Sequence, residues 1–338
     1  MQKVNLQSVQ NSKVFCRVDF DVPLKQGKIQ NTYRIDRCLP TIQSLLKNNN
    51  KVVLFTKLGR PQGAEESLST KHLLPYLNKA FSTEVSFIDS LNSLSSLSSQ
   101  VSLFENTRFF SWEKDLNEDI AKELASFFDF YVDEAFAMSH REETTNFLVP
   151  RFIGKVSLGL NYSKEVSFLG DLLKGNFKKP ATFVLGGAKP DTKIPMINAL
   201  LPSFDYFLVG GLLAKELSLK NPKIIKAYLT PDGFDITKES ASLFSQIIKE
   251  SQTIVFNGPM GMFEDERYIY GTFKVVEAIA KSKASLKIAG GGDTINAISL
   301  YNHNAINTFT FISTGGGAMF NFLKGGKTNL QKLKISLS

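Results

Sequence analysis

Only two cysteines, Cys16 and Cys38, occur in the 338 residues, beside three histidines and one tryptophan. Two thiols cannot staple a small extracellular scaffold, and three scattered histidines cannot join them in a zinc site. No apolar run approaches the ~20 residues of a membrane span. Met1–Gln10 has neither a charged n-region nor an apolar h-region. A reduced, cytoplasmic chain with no membrane contact is expected. Acidic residues are in deficit: 40 Lys+Arg face 32 Asp+Glu, a net charge of +8. The imbalance is 20 against 18 in residues 1–164 and 20 against 14 in 165–338. A basic excess suits nucleic acid or small polyanions. No basic run with interleaved aromatics appears, so small phosphates are the preferred partner. Apolar residues make up 43% and include 28 Phe, enough for two domains that each bury a core. No heptad or apolar stripe stands out, and a monomer is expected.

Strand and helix patterns alternate along the whole chain. Val14–Asp19, Val52–Phe55, Val101–Glu105 and Phe130–Asp133 read as strands. Leu39–Lys47, Leu73–Phe81 and Ala121–Phe128 read as helices, and Ser90–Ser99 as a Leu-spaced surface helix. Such alternation predicts an α/β fold, a parallel sheet flanked by helices. In open parallel sheets the loops at the C-terminal strand ends converge on one crevice. Arg34, Lys57, Arg60, Arg108 and Arg141 all fall in such loops. Each alone reads as a solvated surface cation. Five from four separate loops point to a pocket for a small polyanion, since Arg suits bidentate binding of phosphate and carboxylate.

The second half centres on Phe183–Ile194. Ala181–Leu185 is a buried-strand pattern, followed by Gly186 and Gly187, whose amides no side chain covers. Asp191 or Thr192 is expected to cap a helix through Ile194–Leu201 with Pro195 in its first turn. A lysine at a helix N-terminus, Lys193, is unfavourable unless an anion sits there, and Lys189 could hold the same anion. Two solvated lysines beside a Gly turn fit the same residues equally well. Four further strands, Tyr206–Val209, Thr253–Phe256, Lys287–Ala289 and Thr308–Ile312, run into glycine-bearing loops at 210–211, 257–259, 290–294 and 313–317. That repetition favours a nucleotide-phosphate cradle over isolated tight turns. Gly325-Gly326-Lys327-Thr328 is not a P-loop, because Asn321 stands where that motif needs Gly. Neither Gly triplet extends to G-x-G-x-x-G, since Ile295 and Phe320 occupy the last positions.

Together RVDFDVPL (17–24), LGRP (58–61), LFENTRF (103–109), GGAKPDTK (186–193), NGPMGMFE (257–264), GGGDT (290–294) and STGGGA (313–318) resemble phosphoglycerate kinase over nearly the whole chain. The resemblance implies two doubly wound, three-layer α/β/α lobes joined by a helix and hinge. Their expected bounds are 1–162, a helix at 163–176, 177–321, and a segment 322–338 returning to the first lobe. It implies transfer of the acyl phosphate of 1,3-bisphosphoglycerate to Mg·ADP, giving 3-phosphoglycerate and Mg·ATP. The family's glycerate contacts fall on Asp19, Arg34, Arg60, Arg108 and Arg141. Asp21 and Lys57 stand where the family usually has Asn and His. Its nucleotide contacts fall on Gly187, Lys189, Lys193, Gly210, Gly211, Asn257, Pro259, Met262, Glu264, Gly290, Gly291, Gly292, Asp293 and Thr294. Of these, Glu264 resembles the ribose contact and Asp293 the carboxylate on the Mg²⁺ side. Arg34, Lys189, Lys193 and the amides of Gly315, Gly316 and Gly317 resemble the groups that stabilise the transferring phosphoryl. A carboxylate nucleophile is already ionised at neutral pH, so the lack of a Ser/His/Asp or Cys/His constellation fits.

The chain departs from that pattern in places. Glu142-Glu143-Thr144-Thr145 replaces an AHAS-like run, and only 20 residues separate Ala214 from Asp235 where the family has several tens more. That interval is too short for another full βα crossover, which predicts a lost helix, a lost strand and weaker base recognition. Two further readings stand beside an active kinase: an impaired nucleotide- or phosphate-binding relative, and a basic nucleic-acid-binding protein with no recognised motif.

Overall fold

The computed structural model of the chain describes residues 1–188 and 190–337. They divide into two compact units: Met1–Val166 with the segment from Lys327 onward, and Ser167–Gly326. The helix Leu160–Lys174 carries the chain from one into the other.

Along the first unit run β1 (Gln2–Lys3), β2 (Lys13–Arg17), a hairpin of β3 (Leu24–Lys25) and β4 (Lys28–Ile29), β5 (Lys51–Phe55), β6 (Ser86–Ile88), β7 (Val101–Phe104), β8 (Phe130–Asp133) and β9 (Lys155–Leu158). Seven of them form a parallel sheet in the order β1-β9-β8-β2-β5-β7-β6. From β2 the chain winds outward one way through β5 and β7, and the other way through β8 and β9. Crossovers in opposite directions, each right-handed by the general rule for parallel strands, put helices on both faces and leave a switch point between β2 and β8. One face of the sheet packs a stack of Phe15, Phe55 and Phe104, with Phe15 and Phe55 centroids 3.8 Å apart.

The second unit has β10 (Ala181–Leu185), β11 (Tyr206–Val209), β12 (Ile224–Lys226), β13 (Thr253–Asn257), β14 (Leu286–Gly290) and β15 (Phe311–Ser313). They form a parallel sheet ordered β12-β11-β10-β13-β14-β15, doubly wound with its switch point between β10 and β13. No helix of the described residues is long and apolar enough to cross a membrane.

Several local expectations are corrected. The first long helix is Tyr33–Lys47, so Arg34 lies in its first turn, not in a loop. Its buried Ile35, Cys38, Ile42 and Leu45 hold one helical face that extends the helix back past Pro40. The linking helix starts at Leu160, three residues before the expected 163, because Glu134 receives the Asn161 and Tyr162 N–H groups at 3.0 and 3.1 Å. Ser90–Ser99 holds only a 3₁₀ turn, Asn92–Ser96, with Leu94 buried. The helix after β10 is Pro190–Leu200, so Pro190 takes the N1 position, Asp191 and Thr192 are helical rather than caps, and Pro195 is interior. Thr308 ends a 3₁₀ segment instead of opening β15. Between β11 and β12 the chain crosses over through the six-residue helix Gly211–Glu216, an element not read from the sequence, and β12 runs parallel to β11 at the sheet edge. A helix this short makes the connection fit.

Candidate active site

Asp19 and Asp21 follow β2 at the switch point of the first unit. The Phe20 N–H donates to Thr56 Oγ1 at 3.0 Å, fixing this loop to the one after β5. Asp19 is buried, and its two oxygens accept from Arg34 Nη1 at 3.1 and 2.8 Å. Asp21 pairs with the ammonium of Lys57 and also accepts the Gly59 N–H at 2.8 Å. Burial raises the Asp21 pKa, but the Lys57 charge and hydrogen bond and the Gly59 N–H outweigh it and leave it below the usual value. Burial pushes Lys57 down, and Asp21 and Asp19 oppose this. The two residues that depart from the family pattern therefore touch.

Buried Asn106 clamps the next two loops together. Its Oδ1 accepts from the Leu58 and Arg108 N–H groups at 3.0 and 3.1 Å, and its Nδ2 donates to the Leu58 and Leu68 carbonyls. This places Arg60 and Arg108 with Arg141 around a groove of about 560 Å³, whose wall also includes Lys114 and Glu143. Arg60 and Arg141 are exposed. Arg108 is nearly buried and donates to the Gly59 carbonyl at 3.2 Å and to Glu143 at 3.3 Å. Three of the five expected cations thus line one groove, and the other two are paired with Asp19 and Asp21.

Beneath this end of the sheet lies an acidic layer. Arg17, fully buried, stands 3.8 Å from both Glu113 and Glu143. Burial raises Glu113 to about 7 against the pull of Arg17, and Asp133 to about 7. Burial likewise raises Glu134 to about 8, opposed by the N–H groups of Tyr162 and Asn161 and by Thr41.

In the second unit the loops after β10, β11 and β13 approach as closely as backbone allows. The Gly187 N–H donates to the Pro259 carbonyl at 2.7 Å, and a Cβ on Gly186 would stand 2.0 Å from that oxygen. Gly211, at φ +59°, would press a Cβ to 2.8 Å of the Gly187 nitrogen. Only glycine fits. Gly210 lies over the buried sulfur of Met260. Lys193 is buried and its ammonium donates to the Gly186 carbonyl; Lys189 lies outside the described residues. Asn257 Nδ2 donates to the Gly290 carbonyl at 2.5 Å, while Thr294 Oγ1 donates to the same carbonyl and accepts the Gly258 N–H, both at 2.8 Å. Gly291 sits at φ +98°, and the helices Gly292–Tyr301 and Gly316–Leu323 start side by side, a Cβ on Gly316 lying 3.0 Å from the Gly291 Cα. Gly315 precedes the second helix, its N–H on Ser313 Oγ at 3.3 Å, and Gly317 lies in its first turn. Asp293 is exposed in the first turn of the other helix. Glu264 and Met262 are exposed after β13, and the Met262 N–H binds the carbonyl of exposed Phe234 at 2.9 Å. Among the described residues no group of three or more His, Cys, Asp or Glu could hold a metal ion.

A family model described as phosphoglycerate kinase matches residues 4–227 and 229–326. The chain belongs to the phosphoglycerate kinase family. It is 35% identical to the phosphoglycerate kinase of Finegoldia magna over 379 positions, covering 94% of this chain and 95% of that one. The Aquifex aeolicus phosphoglycerate kinase is 33% identical over 380 positions, with 94% of each covered. Among solved structures, phosphoglycerate kinase from Coxiella burnetii superposes with a TM-score of 0.79 at 30% identity and that from Pyrococcus horikoshii with 0.80 at 28%, each covering 96% of both chains. An alignment of 379 positions exceeds a chain of 338, so the relative has residues that this chain lacks. The family match breaks at Tyr228, inside the interval that the sequence marks as short. Like its family, the chain is a phosphotransferase of two doubly wound α/β units. Asn106, Arg17 and Phe234 were not singled out from sequence; Asn106 and Arg17 had a signal, their places inside LFENTRF (103–109) and RVDFDVPL (17–24).

Proposed function

We propose that the chain reversibly transfers the acyl phosphate of 1,3-bisphosphoglycerate to Mg·ADP, yielding 3-phosphoglycerate and Mg·ATP. The observation that carries this reading is the groove of Arg60, Arg108 and Arg141 at the C-terminal strand ends of the first unit, in a chain of the phosphoglycerate kinase family. Three guanidiniums suit an anionic glycerate ester. Asp19 and Arg34 are proposed to take part in holding the same substrate, with Arg34 also stabilising the transferring phosphoryl.

The nucleotide is proposed to bind the second unit at its switch point. Gly187, Gly210, Gly211 and Pro259 would form the floor, with Leu212, Phe234 and Met262 offering exposed apolar surface to the base and Glu264 a carboxylate to the ribose. The amides that open the helices Gly292–Tyr301 and Gly316–Leu323 suit phosphate oxygens. Asn257 and Thr294 support the Gly290 loop rather than facing outward, so their proposed part is to hold that cradle. Asp293 would meet the Mg²⁺ that arrives on the nucleotide, and Lys189 and Lys193 the charge that develops in transfer. A cytoplasmic monomer is part of the same proposal; both cysteines are buried and reduced.

A coupled assay with Mg·ATP and 3-phosphoglycerate tests the reading. Turnover that depends on both is expected. Binding of both without turnover would favour the impaired relative instead.

A further inference from the structure

Glu143 is a carboxylate in the wall of an anion groove, the opposite sign to what the groove collects. It is 5% exposed. Its Oε1 accepts from Arg108 Nη2 at 3.3 Å, its Oε2 lies 3.8 Å from Arg17 Nη2, and its side chain also takes the Asn146 N–H in a capping box, an acceptor role that glutamine keeps. Its backbone is fixed, since the Glu143 N–H donates to Asn146 Oδ1 at 2.9 Å. Neighbouring Glu142 differs: it is exposed and pairs with Lys332 at 2.7 Å.

Arg108 is held on two sides, by the Gly59 carbonyl through Nη1 and by Glu143 through Nη2. Its Nε is buried without a partner among the described residues. Removing Glu143 would leave the Gly59 carbonyl as the one acceptor on that guanidinium among the described residues. The carboxylate also offsets part of the positive charge of Arg60, Arg108 and Arg141.

We propose that Glu143 is a positioning residue for Arg108 that sets the affinity of the groove for the anionic end of the substrate without touching it. This rests on the groove being the glycerate site. Two effects follow that separate by substitution. Glutamine keeps an acceptor for Arg108 but removes the charge that opposes an anion. Alanine removes both.

The test is steady-state kinetics of E143Q, E143A and R60A with 3-phosphoglycerate and Mg·ATP. E143A is expected to raise the KM for 3-phosphoglycerate by about tenfold, as a misplaced binding group does, with kcat and the KM for Mg·ATP little changed. E143Q is expected to lower the KM for 3-phosphoglycerate by roughly threefold, the effect of deleting one like charge about 6 Å from an anion in an open, water-screened groove with a dielectric of ~80. A bare packing role would move both variants the same way. KM shifts of the same sign in both, or a kcat effect with KM unmoved, overturn the proposal. If E143A does not fold, E143Q decides alone: an unchanged or raised KM overturns it. R60A separates the two levels. A raised KM in R60A keeps the groove as the substrate site whatever Glu143 does, whereas an unmoved KM removes the groove reading and this inference with it.

Discussion

Asp21→Asn separates charge from shape in the first unit. Asparagine keeps an acceptor for the Gly59 N–H, now 2.8 Å from Asp21, but removes the counter-charge of Lys57. The Lys57 side chain is 9% exposed and that of Asp21 26%. Breaking a buried ion pair costs about 3–5 kcal/mol, whereas an exposed pair contributes ~0–1 kcal/mol. The quarter-exposed acid sets the expected loss of stability between them, at about 1–3 kcal/mol. The loss should depend on pH. Because the folded-state pKa of Asp21 is lowered, its contribution is present above the unfolded carboxylate value of about 3.9 and disappears as pH falls through the lowered value. Parent and variant should therefore converge in acid. The same substitution frees the Lys57 ammonium for an anionic ligand, so 3-phosphoglycerate should bind more tightly. Lys57→His should weaken it, and the double mutant should deviate from additivity by about 0.5–3 kcal/mol. Urea melts between pH 3 and 7, with calorimetry of 3-phosphoglycerate, measure both effects. A variant as stable as the parent that binds more weakly would refute the reasoning.

Arg34→Ala and Lys193→Ala should each reduce kcat by orders of magnitude, as loss of transition-state charge stabilisation does; if steady-state kinetics show only a raised KM, they are binding groups alone. Gly186→Ala should destabilise by about 3 kcal/mol or more, because its Cβ would lie 2.0 Å from the Pro259 carbonyl. Gly292→Ala, with nothing within 4 Å, should leave the melting temperature nearly unchanged. Glu134 holds its proton in the folded state up to about 8, while the unfolded chain releases it above about 4.3. Stability should therefore fall as pH rises through that window, by up to about 1.4 kcal/mol per pH unit from this group. Glu134→Gln should flatten that slope in thermal melts from pH 5 to 8.5.

The layered α/β architecture was legible because strand and helix periods alternate cleanly, and β10 has the bounds its apolar run implies. The glycine loops were legible as close approaches, but not what they approach: nothing in a Gly-Gly pair says that Pro259 lies across from it. Pairings at long range were hidden for the same reason. Asp21 and Lys57 each stood out as unusual residues, yet their contact depends on the register of β2 against β5. The Asn106 clamp and the buried Arg17 read as ordinary polar residues until the sheet is assembled. The crossover at 210–223 was missed because its helix has only six residues, too few to show a helical period in the sequence.

Asn329 ties the segment after Gly326 back into the first unit. Asn329 donates its N–H to the Ser139 carbonyl at 2.7 Å and its side-chain amide to the Arg141 carbonyl. Those partners are 188 and more residues upstream. Synthesis proceeds from the N-terminus, and domains generally fold as they emerge, but this one lacks a piece until the whole second unit and Asn329 have been made. A transcript cut short after Gly326 would still encode every strand of the first sheet. It would lack the two Asn329 hydrogen bonds to the loop that presents Arg141, so the nascent protein would acquire its architecture before it acquired a complete groove.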